Sequence, residues 1–221
     1  MVSQTNEQAL ETAIQKHLTG TSIEELRAEG ITIEERQDMY RAGNGYYIGS
    51  NIDYNAKYAI DEARFWHFLE ATQPEELEKL QRTSDWKLKI MERYDRMVKK
   101  YGILRLLRKG LEVEDAHFTL LYQLPMASSS QAVRDNFEKN EFRVTRQVQY
   151  NQDNARKEID MVIFVNGLAI ATFELKNHWT GQNARVHGIR QYMKDRDNRQ
   201  PLLSFGRAIV HFAVDTDEVY M

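Results

Sequence analysis

The chain has 221 residues, 42% of them apolar and 29% charged, and a formal net charge of −3 at pH 7. Such a chain can bury a core, which excludes a disordered segment. It has no cysteine, which excludes disulfides and thiolate metal sites and fits a cytoplasmic location. No stretch is long and apolar enough to span a membrane, so we expect no membrane partner. Because the charge is nearly balanced, any nucleic-acid surface must be local.

The first predicted element is an amphipathic helix over residues 5–18. It opens with a Thr-Asn start signal and has apolar residues at positions 10, 13, 14 and 18. Glu11 lies on this helix as a candidate functional carboxylate, although a solvated helix glutamate is the alternative. The acidic stretch 21–38 that follows is predicted to be helical and to lie on the outer surface.

The middle of the chain is predicted to be mainly helical, after a loop at residues 44–50 where Gly and Asn permit turns. Helical patterns cover residues 61–69 and 74–80, the second opened by a proline and two acidic residues. A serine-rich linker or loop is expected at residues 126–131. Because the G-x-x-x-x-G-K-[ST] motif is absent, we predict no ATP site of that kind in these residues.

The most basic stretch is 87–109, which contains nine Lys or Arg residues. Its pattern predicts two helices broken near Gly102, with an apolar stripe and a basic face. That face could bind DNA phosphates or dock against an acidic subunit, and an ordinary solvated face is a further alternative.

The residues most indicative of a functional site lie in a predicted hairpin at 157–176. Two branched apolar runs flank Asn166-Gly167, which is a strong hairpin signal. Asp160 and Glu174 lie at the two ends, and Lys176 follows at alternate-residue spacing. A core hairpin with charged ends is the alternative, but Glu174 continues an apolar run, where an unpaired carboxylate is costly.

The register of this hairpin decides whether its carboxylates converge. With a plain two-residue loop, Asp160 opposes Phe173 and Glu174 points to the other face. With an extra residue in the turn and Gly167 left-handed, Asp160, Glu174 and Lys176 share a face. We predict that turn or an equivalent bulge.

Two converging carboxylates suit a hard divalent cation, most naturally Mg²⁺, which keeps several waters and leaves room for a phosphate oxygen. Lys176 could orient or help deprotonate an attacking water and could offset charge developing on a phosphorane. The hairpin therefore predicts phosphodiester hydrolysis.

Strands are predicted on both sides of the hairpin, at residues 142–150 and 208–214, with a helix over 181–197. A strand, a crossover helix and a strand predict a parallel pair and hence an α/β sheet. Arg190, Gln191 and Lys194 on this helix could grip a phosphate, with surface solvation as the alternative. Four other basic residues could approach a phosphate backbone near the hairpin: Arg143, Arg146, Arg156 and Lys157.

The hairpin motif also resembles a known family signature. Asp160 followed by Glu174-Leu175-Lys176 is similar to the PD-(D/E)xK nuclease signature, with Ile159 in the place of the proline. The Gln-x-x-x-Tyr element of related nucleases is not literal here, since Gln191 and Tyr192 are adjacent, but either could serve.

The resemblance extends over most of the chain. Segments FVNGLAIATFELKN and WTGQNARVHGIRQYMKDRDNRQPLLSFGRAIVHFAVDTDEVYM, with NEQALETAIQKHL and ATQPEEL, resemble the amino-terminal nuclease region of the restriction (R, motor) subunit of type I restriction-modification enzymes. This implies an α/β fold, a mixed sheet flanked by helices with a PD-(D/E)xK restriction-endonuclease-like core. The core is expected at 5–20 and 140–221 of a single nuclease domain over 1–221, with a helical insertion at about 55–130.

The resemblance further implies a type I site-specific deoxyribonuclease that cuts double-stranded DNA with Mg²⁺. The implied catalytic residues are Asp160, Glu174, Lys176 and Glu11. The implied metal-binding residues are Asp160, Glu174 and Leu175. The implied DNA-binding residues are Arg190, Gln191, Tyr192 and Lys194.

The resemblance also implies partners. ATP-using motor domains, absent from this chain, would deliver DNA, and methyltransferase (M) and specificity (S) subunits would complete the complex. A stand-alone PD-(D/E)xK repair nuclease and a catalytically silent domain that docks the methyltransferase are the alternatives.

Overall fold

A computed structural model describes residues 2–32, 45–153, 157–177 and 181–221. It shows a mixed β-sheet flanked by helices, which confirms the predicted α/β fold class and is consistent with a nuclease-like fold. None of the helices in these ranges is both long enough and apolar enough to cross a membrane.

The sheet is built around an antiparallel meander of three long strands. These are β6 (Phe142–Gln149), β7 (Glu158–Val165) and β8 (Leu168–Leu175). Shorter strands extend the meander on both sides: β1 (Tyr46–Ile48), β2 (Tyr54–Asn55), β3 (Ile60–Asp61), β9 (Val210–Val214) and β10 (Val219–Tyr220). β1 pairs in parallel with β6, and β9 pairs in parallel with β8. The parallel β8–β9 pair confirms the predicted crossover connection.

Helices surround this sheet, and a small antiparallel hairpin of β4 (Leu111–Val113) and β5 (Ala116–Phe118) lies among them. The helices are α1 (Val2–Thr19), α2 (Ile23–Ala28), α3 (Glu62–Thr72), α4 (Pro74–Leu80), α5 (Trp86–Tyr101), α6 (Ile103–Lys109) and α7 (Gln131–Glu138). The crossover segment consists of two π-helical turns, Ala184–Gly188 and Gln191–Asp195, followed by a 3-10 turn at Pro201–Leu203.

Most local predictions are confirmed, including the helix pair separated by Gly102, whose φ of 77° ends α5. The predicted loop at 44–50 is wrong in part, because residues 46–48 form β1 and pair with β6. The helical prediction over 21–38 holds for α2, whereas residues 33–38, like Asn44, lie outside the described residues.

Apolar side chains cover both faces of the central strands. On one face, Ile14 and Leu18 of α1 pack on a cluster that includes Met161 and Ile163. The opposite face packs against Leu202 and Leu203, which lie in the 3-10 turn that follows the two π-helical turns. A third cluster connects helices α3, α4, α5 and α6 with the hairpin end of the sheet. Val165 and Leu168 are the residues of the hairpin in this cluster. Both α1 and the first π-helical turn of the crossover segment contact β8, the strand that carries Glu174.

Helix α1 differs from the prediction in one respect. Its most deeply buried side chains are polar and spaced by four residues, at Glu11, Gln15 and Thr19, whereas Ala13 is exposed. Residues four apart lie on one helix face, so this helix presents a polar stripe to the protein interior. The polar stripe therefore places the carboxylate of Glu11 against the sheet.

Candidate active site

The hairpin turn between β7 and β8 has two residues, Asn166 and Gly167, with φ of 50° and 80°. Positive φ at both positions is typical of a type I′ turn, which suits adjacent antiparallel strands. The prediction of an extra residue in the turn is therefore wrong, since Val165 pairs directly with Leu168.

The extra residue lies three positions further along, in β8. Phe164 pairs with Ala169, but Ile163, the preceding residue of β7, pairs with Ala171, so Ile170 is the bulged residue. This is the equivalent bulge that the sequence argument required. A bulge shifts the alternation of side chains by one residue for the rest of the strand.

The shifted register places Asp160 and Glu174 on one face of the sheet. Beyond the bulge the ladder ends with the pair Met161–Phe173, so we infer that the next residues of the two strands, Asp160 and Glu174, lie opposite each other. Opposite residues in an antiparallel pair share a face. Lys176, two residues after Glu174, continues on that face.

Asp160 is tied to the opposite strand through a backbone contact. The backbone N–H of Leu175 donates to its Oδ2 at 2.7 Å. Burial raises the pKa of Asp160, and the positive charge of Lys176 acts in the opposite direction. The half-buried carboxyl of Asp160 faces the fully buried carboxyl of Glu174 here, and two carboxyls this close favour the binding of a proton or a cation.

Glu174 is fully buried and is held by Arg196. Arg196 Nε donates a hydrogen bond to Glu174 Oε1 at 2.7 Å, and Arg196 Nη2 lies 2.6 Å from the same oxygen in an ion pair. Its other oxygen, Oε2, is buried and has no hydrogen-bond partner in the described part of the chain. Burial first, and then the charge of Asp160, raise the pKa of Glu174 to about 8.

Lys176 is buried beside these carboxylates. Its Nζ donates to the backbone carbonyl of Leu175 at 3.0 Å. The crossover segment reaches it closely at Gly188, where an added Cβ would lie 2.8 Å from the Cβ of Ala213 and 3.6 Å from the Cγ of Lys176. Glycine at this position therefore allows the segment to cover the lysine.

Glu11 reaches the same region from α1. It accepts hydrogen bonds from Arg146 Nε at 2.8 Å and from Gln147 Nε2 at 2.5 Å. Burial raises the pKa of Glu11 to about 7, against the effect of Arg146, and the charge of Asp160 adds to the rise. The structure thus gathers Glu11, Asp160, Glu174 and Lys176 at one end of the sheet.

The neighbour of Arg146 has an unusual backbone. Gln147 has a φ of 52° within β6 and lies across from Asp160, between the pairs Arg146–Met161 and Val148–Ile159. This left-handed conformation lets two consecutive side chains of β6 reach Glu11.

The predicted DNA-binding residues differ in their exposure to solvent. Arg190 and Lys194 are exposed on the crossover segment, and Gln191 is half-buried. The Tyr192 hydroxyl is 2.7 Å from Thr172 Oγ1, and burial first, then the charge of Glu174, raise the pKa of Tyr192. Tyr192 therefore lies beside the carboxylates, whereas Arg190 and Lys194 face solvent.

Two of the four basic residues proposed to approach a phosphate are buried instead. Arg143 is ion-paired with Glu141 and donates to the backbone carbonyl of Ile48 at 3.1 Å. Arg146 is occupied by Glu11 and by Glu24, the latter at 2.8 Å. For Arg143 and Arg146 the prediction is wrong, since both serve internal ion pairs, and Arg156 lies outside the described residues.

Sequence reasoning missed two charged residues of the site. Arg196 stands among other charges in KDRDNR, so no local signal marks it as the partner of Glu174. Glu7 lies four residues before Glu11, and its pKa is raised by burial and by Asp160 but lowered by Lys176. Its spacing from Glu11 was the available signal, because it places both on one helix face.

The donor set of the site fits a hard divalent cation. No group of three or more His, Cys, Asp or Glu side chains arranged for a metal occurs among the described residues. Asp160 and Glu174 provide two carboxylates, and Mg²⁺ is commonly held by one or two carboxylates with waters completing its shell. The buried, unpartnered Oε2 of Glu174 needs a positive partner or a proton, so these residues could hold such an ion.

Comparison with known proteins identifies the family of this chain. A family model described as the type I restriction enzyme R protein N terminus matches residues 4–221. Searches of curated proteins and of solved structures found no match. Since the family model covers nearly the whole sequence, this chain belongs to the family of type I restriction enzyme R protein N-terminal regions.

Proposed function

We propose that this chain is the endonuclease domain of a type I restriction enzyme and hydrolyses phosphodiester bonds of double-stranded DNA with Mg²⁺. One observation carries the proposal: the bulge at Ile170 sets Asp160 and Glu174 on one face, beside Lys176. A structural hairpin rarely places a buried carboxylate opposite a second carboxylate, because a buried charge is costly to desolvate.

The residues of the site would have separate roles in hydrolysis. Asp160, Glu174 and the backbone carbonyl of Leu175 would hold Mg²⁺, which when bound supplies Lewis-acid activation of a phosphate oxygen and of a water. Lys176 would orient the attacking water and stabilise the negative charge that develops on the phosphorus centre. Its burial beside the carboxylates keeps the ammonium group at a defined position.

Glu11 would act as a third acid of the site. A carboxyl with a pKa of about 7 exchanges its proton near neutral pH, which suits a group that accepts or relays a proton. Arg146 and Gln147 hold both of its oxygens, so its position is determined by β6 and not by the helix alone.

DNA would approach across the crossover segment. Arg190 and Lys194 are exposed there and would contact phosphates, while Gln191 and Tyr192 would line the approach to the carboxylates. Such contacts position the duplex without reading its sequence. Sequence recognition would then belong to the S subunit.

The wider assembly follows from the family. ATP-driven motor domains of the R protein would translocate DNA to this site, and the M and S subunits would be its partners in the cytoplasm. ATP would act on the motor domains and not on the described residues.

The test is plasmid cleavage in Mg²⁺ by the R protein assembled with its M and S subunits, with ATP hydrolysis followed in the same reaction. Lys176→Ala should reduce cleavage by about 100-fold or more while ATP hydrolysis stays unchanged, because the lost interaction acts in the transition state. Lys79→Ala serves as the control, since Lys79 pairs with Glu76 on α4.

Other outcomes point to the alternatives. Cleavage that Lys176→Ala leaves unchanged would contradict the nuclease proposal and favour a silent domain that docks the methyltransferase. Efficient cleavage by the R protein alone, without ATP, would instead favour a stand-alone nuclease.

A further inference from the structure

We propose that Arg196 is a positioning residue that holds Glu174 in the orientation required for metal binding. The inference rests on the proposed function, because it assumes that Glu174 is a metal ligand. It assigns a role to a residue that no sequence motif marks.

The contact between the two side chains is asymmetric. Arg196 Nε donates a hydrogen bond to Oε1 at 2.7 Å, and Nη2 is ion-paired with the same oxygen at 2.6 Å. The second oxygen, Oε2, is left buried without a partner. A guanidinium more often pairs with a carboxylate through both oxygens. Here the arginine instead fixes one oxygen and leaves the other available to a cation.

Arg196 is itself held in place. Its guanidinium carbon lies 5.4 Å from the ring centre of Tyr150, which is fully buried. Its backbone N–H donates to the carbonyl of Gln191 at 2.9 Å, at the end of the second π-helical turn. The side chain is therefore supported by an aromatic face and by the end of the crossover segment.

A blocking role is the competing explanation, in which Arg196 takes the place of the cation. The positions of its nitrogens argue against it, since Nε and Nη2 both contact Oε1 and no hydrogen bond from a described residue reaches Oε2. Outer residues that orient a metal ligand commonly strengthen metal affinity 10- to 100-fold. The two roles predict opposite changes in affinity when Arg196 is replaced.

The experiment is a calorimetric titration of the protein with Mg²⁺ alone, without DNA or ATP. Arg196→Gln should raise the Kd for Mg²⁺ about tenfold or more, because Glu174 loses the contact that orients it. Arg196→Lys retains the charge but not the planar guanidinium that places two nitrogens on Oε1, so it should restore only part of the affinity. Arg199→Ala is the matched control, because Arg199 is exposed and pairs with Asp197. It should bind like the wild type.

Each possible result distinguishes the positioning role from the blocking role or tests the metal site itself. Unchanged or tighter Mg²⁺ binding by Arg196→Gln would overturn the positioning role, and tighter binding would establish the blocking role. If Arg196→Gln does not fold by circular dichroism, Arg196→Lys decides: weaker binding supports the inference and equal binding overturns it. Wild-type protein that binds no Mg²⁺, or binding that Asp160→Asn leaves intact, would refute the metal site itself and hence the proposed function.

Discussion

The carboxylate of Asp160 accepts a 2.7 Å hydrogen bond from the backbone N–H of Leu175, the residue between Glu174 and Lys176. A hydrogen bond to an ionised carboxylate is among the stronger ones in proteins. It ties the end of β7 to the β8 segment that carries the two other charged groups. The backbone of β8 thus sets the position of Asp160 relative to both.

Replacing Asp160 by Asn should stabilise the protein in the absence of metal. The amide oxygen can still accept from Leu175, while the repulsion with Glu174 disappears. We expect the free energy of unfolding at pH 8 in EDTA to rise by about 1 kcal/mol, the usual scale when a strained functional site is relieved. Urea unfolding with EDTA or MgCl₂ measures this, and Mg²⁺ should stabilise only the wild type. A less stable Asn variant in EDTA would contradict the expectation.

The stability of the metal-free protein should fall as pH rises. The pKa of Glu11 is raised from 4.5 to about 7 and that of Glu174 to about 8, in both cases chiefly by burial. A folded-state pKa above the unfolded value means that the folded protein binds the proton more tightly. The resulting stability is complete below pH 4.5 and is lost as pH rises through 7 and 8. Urea unfolding in EDTA between pH 5 and 9 should show a decrease on the order of a few kcal/mol.

A single substitution identifies the source of this pH dependence. Glu174→Gln removes one titrating group, so its stability should vary less between pH 5 and 9 than that of the wild type. Glu78→Gln, on the exposed side of α4, should keep the wild-type dependence. Equal slopes for Glu174→Gln and the wild type would show that another group is responsible.

Substitutions of Gln147 should separate backbone strain from side-chain contact. A left-handed conformation costs a residue with a Cβ roughly 1 kcal/mol more than glycine. Gln147→Gly and Gln147→Ala both remove the bond to Glu11, but only the Ala variant retains the Cβ at a φ of 52°. We therefore expect Gln147→Ala to be about 1 kcal/mol less stable than Gln147→Gly in urea unfolding. Equal stabilities would mean that the backbone at this position relaxes.

The hairpin turn should be intolerant of any side chain at Gly167. An added Cβ would lie 2.5 Å from the carbonyl oxygen of Asp61 and 2.5 Å from the backbone nitrogen of Phe65. Gly30 also has positive φ, but nothing lies within 4 Å of an added Cβ there. Gly30→Ala should cost about 1 kcal/mol through backbone conformation alone, and Gly167→Ala should cost several times more in chemical unfolding. Similar losses for both variants would exclude the steric explanation.

Local sequence patterns determined much of this protein. Asn166-Gly167 specifies a tight hairpin because both residues accept positive φ, and Gly102 separates two helices for the same reason. The spacing of apolar residues predicted α3 to α6 and the strands that carry Asp160 and Glu174. These features depend on residues close together in the chain, so the sequence alone was sufficient, and the family was recognisable from the same segments.

Tertiary structure decided how the charged residues meet. The bulge at Ile170 sets the register between β7 and β8, and it lies outside Asn166-Gly167, whose sequence specifies only the two-residue turn. Arg196 pairs with Glu174, and Arg146 with Glu11, across 22 and 135 residues of sequence. The sequence does not distinguish surface charges from buried charges, because burial depends on how the helices and the sheet pack together. The sequence therefore determined which chemical groups are present, and only the fold determined which of them face one another.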